Sequence, residues 1–170
     1  RGPTGQGHAT EVGLPIEWGE SLNVVWKTPV EGLGWSSPVV ADGRLWLTSA
    51  VTRDAKSGRS LRLLGFDVET GEQVVNSEVF TVADDRALNP KNSLASPTPV
   101  VSGDRVYVHF GSYGTACLDT ETFQAVWQRR DLPCDHWRGP ASSPVLFEDL
   151  ILLHFDGADV QYAAALDKHS

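Results

Sequence analysis

Methionine is missing from all 170 residues, and cysteine occurs only twice, as Cys117 and Cys134. Two thiols make no disulfide framework and neither demand nor forbid an oxidising compartment. Cations are scarce too: 14 Lys and Arg stand against 22 Asp and Glu, for a net charge of −8. Binding a phosphate backbone relies on clustered Lys and Arg, and the densest cationic spot is the pair Arg129-Arg130, read as a solvated edge. No nucleic-acid partner is expected. No apolar run is long enough to span a bilayer, no signal peptide is visible, and no stretch has the apolar period of an amphipathic helix. Apolar residues make up 41% of the chain and charged ones 21%, which allows a packed core and argues against disorder. A chain that starts at Arg1 and has no methionine is expected to be a processed form or a part of a longer protein. A removed export signal, with peripheral membrane association through it, stays open.

What the chain does contain is a repeat. Three segments align on a proline: Ser36-Ser37-Pro38-Val39-Val40, Thr98-Pro99-Val100-Val101 and Ser142-Ser143-Pro144-Val145-Leu146. A short polar turn follows each (Ala41-Asp42-Gly43, Ser102-Gly103-Asp104, Phe147-Glu148-Asp149), then an apolar strand (Leu45-Trp46-Leu47, Val106-Tyr107-Val108, Ile151-Leu152-Leu153), without a gap. The copies meet again at a second anchor, read from Gly65-Phe66-Asp67, Cys117-Leu118-Asp119 and Ala165-Leu166-Asp167. There an apolar strand ends at an Asp whose side chain caps the next turn, and Gly71 supplies the positive φ that closes it. A last strand leaves with a large apolar residue such as Trp127. Each copy therefore holds four short strands, and a repeated four-stranded antiparallel unit of roughly 40–50 residues is a propeller blade. The expected fold class is all-β, a β-propeller fragment with about two complete and two partial blades. Residues 1–21 form an N-terminal extension and 22–30, with Trp26, an outer strand of a closing blade. Blades follow at 35–80 and 95–130, with a partial blade at 141–170. Unpaired blade edges invite strand pairing, so self-association is expected.

The pattern (Ala or Gly)-Leu-Asp-x-x-Thr-Gly-x-x-x-Trp, preceded by Ser-Ser-Pro-Val-Val, resembles the pyrroloquinoline-quinone (PQQ) type repeat over about residues 22–170. The start, Arg1-Gly2-Pro3 with Val25-Trp26-Lys27-Thr28 and Gly34-Trp35-Ser36-Ser37-Pro38, is similar to bacterial PQQ-like repeat proteins. Phe123 stands where Gly is usual, and Val75 where Trp is usual. Quinoprotein dehydrogenases and cofactor-free propellers such as the outer-membrane assembly lipoprotein share this repeat. The resemblance implies a periplasmic or extracellular protein. It implies either a non-catalytic binding or scaffold module for a protein, peptide or small ligand, or a PQQ- and calcium-dependent dehydrogenase of an alcohol or sugar. Dehydrogenases of the family carry a vicinal Cys-Cys pair, a Trp platform and a Glu-Asn-Asp calcium set. No Cys-Cys pair occurs here, so the binding module is the first reading, with no cofactor expected. A carboxylate-based sugar-processing site on Asp135, Asp156 and Asp159 is a third.

In a blade, the loops that lead into the first strand share one face with the loops that join the second and third strands. On this face lie Gly34-Trp35-Ser36-Ser37, the Ser49–Ser60 insertion, Lys91-Asn92-Ser93, Ser112-Tyr113-Gly114, Cys134-Asp135-His136-Trp137-Arg138 and Asp156-Gly157-Ala158-Asp159. The candidate ligand-binding residues are Trp35, Asn92, His109, Asp135, His136, Arg138, His154, Asp156 and Asp159. Each has a plainer reading. His109 and His154 share one repeat position and read first as bonding a neighbouring loop. The Cys134-x-His136 spacing seeds a metal site only weakly. Trp137-Arg138 packs as a loop or forms a cation–π or anion contact, and Asp156 and Asp159 cap turns. Trp35 packs between blades. Ser36, Ser37, Ser142 and Ser143 repeat, which favours inter-blade hydrogen bonds over nucleophilic chemistry. Cys117 is expected as a buried thiol; a Cys117–Cys134 disulfide stays open, with strand and loop expected far apart. No catalytic residue and no metal ligand are assigned.

Overall fold

The computed structural model describes residues 7–8, 10–53, 58–83 and 89–170. Arg1-Gly2-Pro3 and positions 54–57 of the long insertion lie outside them. The described elements are all strands. Blade one contains β1 (Val39–Ala41), β2 (Arg44–Thr52), β3 (Arg59–Asp67) and β4 (Gln73–Val82). Blade two contains β5 (Val100–Ser102), β6 (Arg105–His109), β7 (Thr115–Asp119) and β8 (Ala125–Arg129), and blade three β9 (Val145–Phe147), β10 (Leu150–Asp156) and β11 (Gln161–Asp167). Each sheet is an antiparallel meander in chain order.

Repeated residues do similar local work in different copies. Asp42 and Gly43, both at positive φ, join β1 to β2 in a two-residue loop, the geometry that matches strand twist. Asp67 Oδ1 accepts hydrogen bonds from the amides of Glu69 and Thr70 and from the Thr70 hydroxyl. Asp119 repeats this with Glu121 and Thr122. These donors hold both carboxyls below the usual Asp range, first through the backbone bonds of Thr70 and Thr122.

Side-chain alternation makes blade two a shared wall. On β6 and β7, Val106, Val108, Ala116 and Leu118 join a core with Trp46, Leu61 and Leu63 of blade one. The intervening Tyr107 and Cys117 join a second core with Ile151, Leu153, Phe155 and Leu166 of blade three. Near the start of the first strands, hydrogen bonds pass from blade to blade. The Ser37 amide donates to Thr98 Oγ1 at 3.0 Å, and the Thr98 amide donates to Ser143 Oγ at 3.0 Å.

Residues 22–30 form no ladder with the described strands. Trp26 instead lies flat on Gly71, where a Cβ would come within 2.5 Å of the indole, and its Nε1 donates to Val68 O at 2.9 Å. Trp127 makes the same bond one junction on, to Lys168 O at 3.0 Å. The junction between blades one and two solves the problem differently. Val75 has replaced the tryptophan, and Phe123, at φ 59°, fills the glycine slot. The large indole has moved to Trp46 on β2, 6.5 Å from the Phe123 ring. Trp46 Nε1 is buried without a partner, and the turn carbonyl, Thr120 O, receives Arg44 Nη1 at 2.8 Å instead. The Arg44 guanidinium lies over both rings, 5.9 Å from Trp46 and 5.7 Å from Phe123.

Arg44→Ala strips the bond from Thr120 O and the cover from both rings, so a loss of about 1–3 kcal/mol is expected in urea unfolding. Val75→Trp should overpack this junction by a similar amount and be relieved by Phe123→Gly. An additive double variant would refute the exchange.

Candidate functional site

Between blades two and three a cleft of about 350 Å³ opens on the loop side. Its wall includes Asn92, His109, His136, Trp137, Arg138, His154 and Asp156, with backbone from the 139–142 and 157–158 stretches. Six of the nine expected residues therefore share one cavity. The other three lie elsewhere. Trp35 is half exposed and uses its amide on Ala95 O, at the junction between blades one and two. Asp159 Oδ1 accepts from the amides of Asp135 and Val160, at 2.8 Å each, and the Asp135 carbonyl accepts from Ala158. Asp135 and Asp159 thus tie the 134–139 loop to the β10–β11 turn rather than lining the cleft.

His136 is wedged into that junction. Its Nε2 accepts from the Ser112 amide at 3.2 Å, and a Cβ on Gly111 would come within 2.5 Å of it. The ring stacks on Phe155, 6.1 Å away, and Phe155 stacks on Tyr162 at 4.6 Å. Nδ1 faces Cys134 Sγ at 3.8 Å. Burial pushes the Cys134 thiol up, aided by the charges of Asp159, Asp135 and Asp156. A protonated thiol is a poor nucleophile, and the Cys134–His136 contact packs the loop against blade three. Both cysteines are free. Among the described residues, no three His, Cys, Asp or Glu side chains gather as metal ligands.

Asn92 lines the cleft as a clamp. Its Nδ2 donates to Arg138 O at 2.8 Å and Pro140 O at 3.3 Å, while Oδ1 accepts from the Ser93 amide and the Ser96 hydroxyl. This bonding fixes the backbone that presents Trp137 and Arg138. Trp137 is 71% exposed, with the Arg138 guanidinium 4.5 Å from its ring centroid. His154 Nδ1 meets Ser142 Oγ at 3.4 Å. His109 is 2% exposed, edge-on to Phe155 at 5.4 Å, with Nδ1 2.8 Å from Thr115 Oγ1.

The model of a family described as outer membrane protein assembly factor BamB matches residues 9–136. The chain belongs to this family of PQQ-like repeat propellers. Its fold is similar to the quinohemoprotein alcohol dehydrogenase ADHIIG from Pseudomonas putida HK5, at TM-score 0.59 and 18% identity, over 85% of this chain and 20% of that one. BamB from Moraxella catarrhalis aligns at 0.51 and 16%, over 85% and 36%. A europium-containing methanol dehydrogenase aligns at 0.54 and 12%, over 78% and 22%. The chain spans about a fifth to a little over a third of these structures. No curated protein matches it. At such identities the likeness shows the propeller fold.

Burial holds His109 neutral, with a pKa down to about 4, and the charge of nearby His136 adds to this. The unfolded histidine takes a proton near pH 6.5, while the folded one waits until about 4. Between these values the unfolded state binds more protons, so acidification through this window removes stability, by roughly 3 kcal/mol when complete. His109→Phe should flatten that part of the pH dependence of urea unfolding between pH 7 and pH 4. An unchanged slope would show that His109 titrates normally.

Proposed function

We propose that this PQQ-like propeller is a binding or scaffold module for a protein, peptide or small ligand, with its seat in the cleft between blades two and three. The cleft supports this reading: a clamped loop holds an exposed Trp137–Arg138 pair over a cavity lined by His109, His154 and Asp156. Trp and Arg on a rigid support are the side chains that anchor interfaces. The family is described by its role in outer membrane protein assembly, which supports a protein or peptide partner and a periplasmic or extracellular place of work. No helix among the described residues is long and apolar enough to cross a membrane.

The fold shared with alcohol dehydrogenases favours one alternative, oxidation of an alcohol or sugar with PQQ and calcium. Tryptophan fluorescence during titration of the whole protein with PQQ and calcium separates the two. The binding-module reading expects no saturable, calcium-dependent quenching. Such quenching, followed by dye reduction with an alcohol or sugar, would replace it with the dehydrogenase.

A further inference from the structure

The two complete blade junctions allow a comparison within the chain. Thr48 and His109 occupy the same repeat position, the tenth residue after Pro38 and after Pro99. Thr48 Oγ1 lies within hydrogen-bond distance of Ala95 O and Pro97 O, in the loop that leads into the next blade. The matching residues ahead of blade three are Pro140 and Ser142, both at the cleft. His109 bonds neither, and turns Nδ1 to Thr115.

That bond determines the tautomer. Thr115 is 1% exposed, and among the described residues its hydroxyl bonds only His109 Nδ1. A buried hydroxyl without an acceptor is costly, so Thr115 donates and Nδ1 accepts. The ring proton then sits on Nε2, which has no partner among the described residues. Nε2 is also not sealed away, since among the described residues it is Trp46 Nε1 that is buried and unpaired. His109 therefore presents one N–H to the cleft. At the lip, Arg138 makes no hydrogen bond or ion pair with any described residue; its ring contact is with Trp137. Both groups are donors lacking acceptors. The carboxylate on the cleft wall, Asp156, accepts only.

We propose that the cleft takes a carboxylate group, received by His109 Nε2–H and the Arg138 guanidinium, on a ligand whose neighbouring hydroxyl or N–H group donates to Asp156. The inference rests on the binding-module reading and names its ligand chemistry. A neutral histidine donates without charge, and a guanidinium forks onto two carboxylate oxygens. Asp156 repels a bare carboxylate and selects one with a donor beside it. A free 2-hydroxy acid and the C-terminus of a peptide both carry this chemistry.

Histidine-ring nitrogen NMR on the whole protein reads both halves of the proposal. In the free protein His109 is expected as the Nε2–H tautomer. Lactate or trialanine should shift that resonance saturably, and lactamide or trialanine amide should not. Lactate alone would identify a free acid, and trialanine alone a peptide end. Arg138→Gln, a surface change, should weaken binding by tenfold or more as read at the His109 ring, and His109→Phe should do so as read from backbone amide shifts, which also report the intact fold. Asp156→Asn should strengthen acetate several-fold. A Nδ1–H tautomer, equal binding of acid and amide, or no shift with any acid would overturn the carboxylate proposal. The quinone titration judges the binding-module reading independently of these results.

Discussion

A sheet of three or four short strands has two faces, and in this protein a face is dry only where another blade lies on it. Every other feature depends on that constraint. It explains why β6 and β7 alternate between two cores rather than between core and water, with Val106 and Val108 turned to blade one and Tyr107 and Cys117 to blade three. It also explains the repeated geometry at the rim. The Asp-capped turn of one blade offers a carbonyl, and the preceding blade must cover it with a donor that also fills space. Trp26 and Trp127 do so with an indole lying on the turn.

The blade one–two junction shows how strict the requirement is and how loosely it binds the choice of residue. Three positions differ together from the other junctions: Val75 on β4 stands where they have tryptophan, Phe123 stands in the turn, and a large ring, Trp46, stands on β2. Arg44 then supplies the donor to Thr120 O. The exchange leaves one buried indole N–H unmatched, a local cost consistent with a joint rebuilt from different parts. The same freedom operates at the loop side. Where Thr48 closes its junction with hydrogen bonds to the next blade, His109 leaves the corresponding gap open, and that gap is the cleft.

Much of the fold was legible because its signals are local. The proline-led strand, the tight turn and the terminal Asp each follow from neighbouring residues, and their threefold recurrence pointed to propeller blades. The candidate site was legible as a face: loops that share one end of the blades were expected to carry it, and His109, His136, Arg138, His154 and Asp156 do line one cleft. Its internal roles were not. Asn92 looked like a ligand contact and is a clamp whose amide bonds two loop carbonyls. Asp135 and Asp159 were candidate ligand contacts; the Asp159 carboxylate caps its turn, as its plainer reading had it, and with the Asp135 backbone it holds the loop to the β10–β11 turn. Thr115, which orients His109, carried no signal except its place directly opposite His109 in the β6–β7 register.

By itself the sequence determined the strand order, the turns and the repeat, because backbone conformation depends on residues a few positions apart. It also determined the acidic balance that makes a nucleic-acid partner a poor fit. Only the tertiary structure decided which polar atoms are already paired. Hydrogen bonds such as Asn92 to Arg138 O, 46 residues apart, and Arg44 to Thr120 O, 76 apart, form between blades whose separation in the chain hides their contact. Whether a histidine is a strut or an open donor therefore depends on what the next blade places against it.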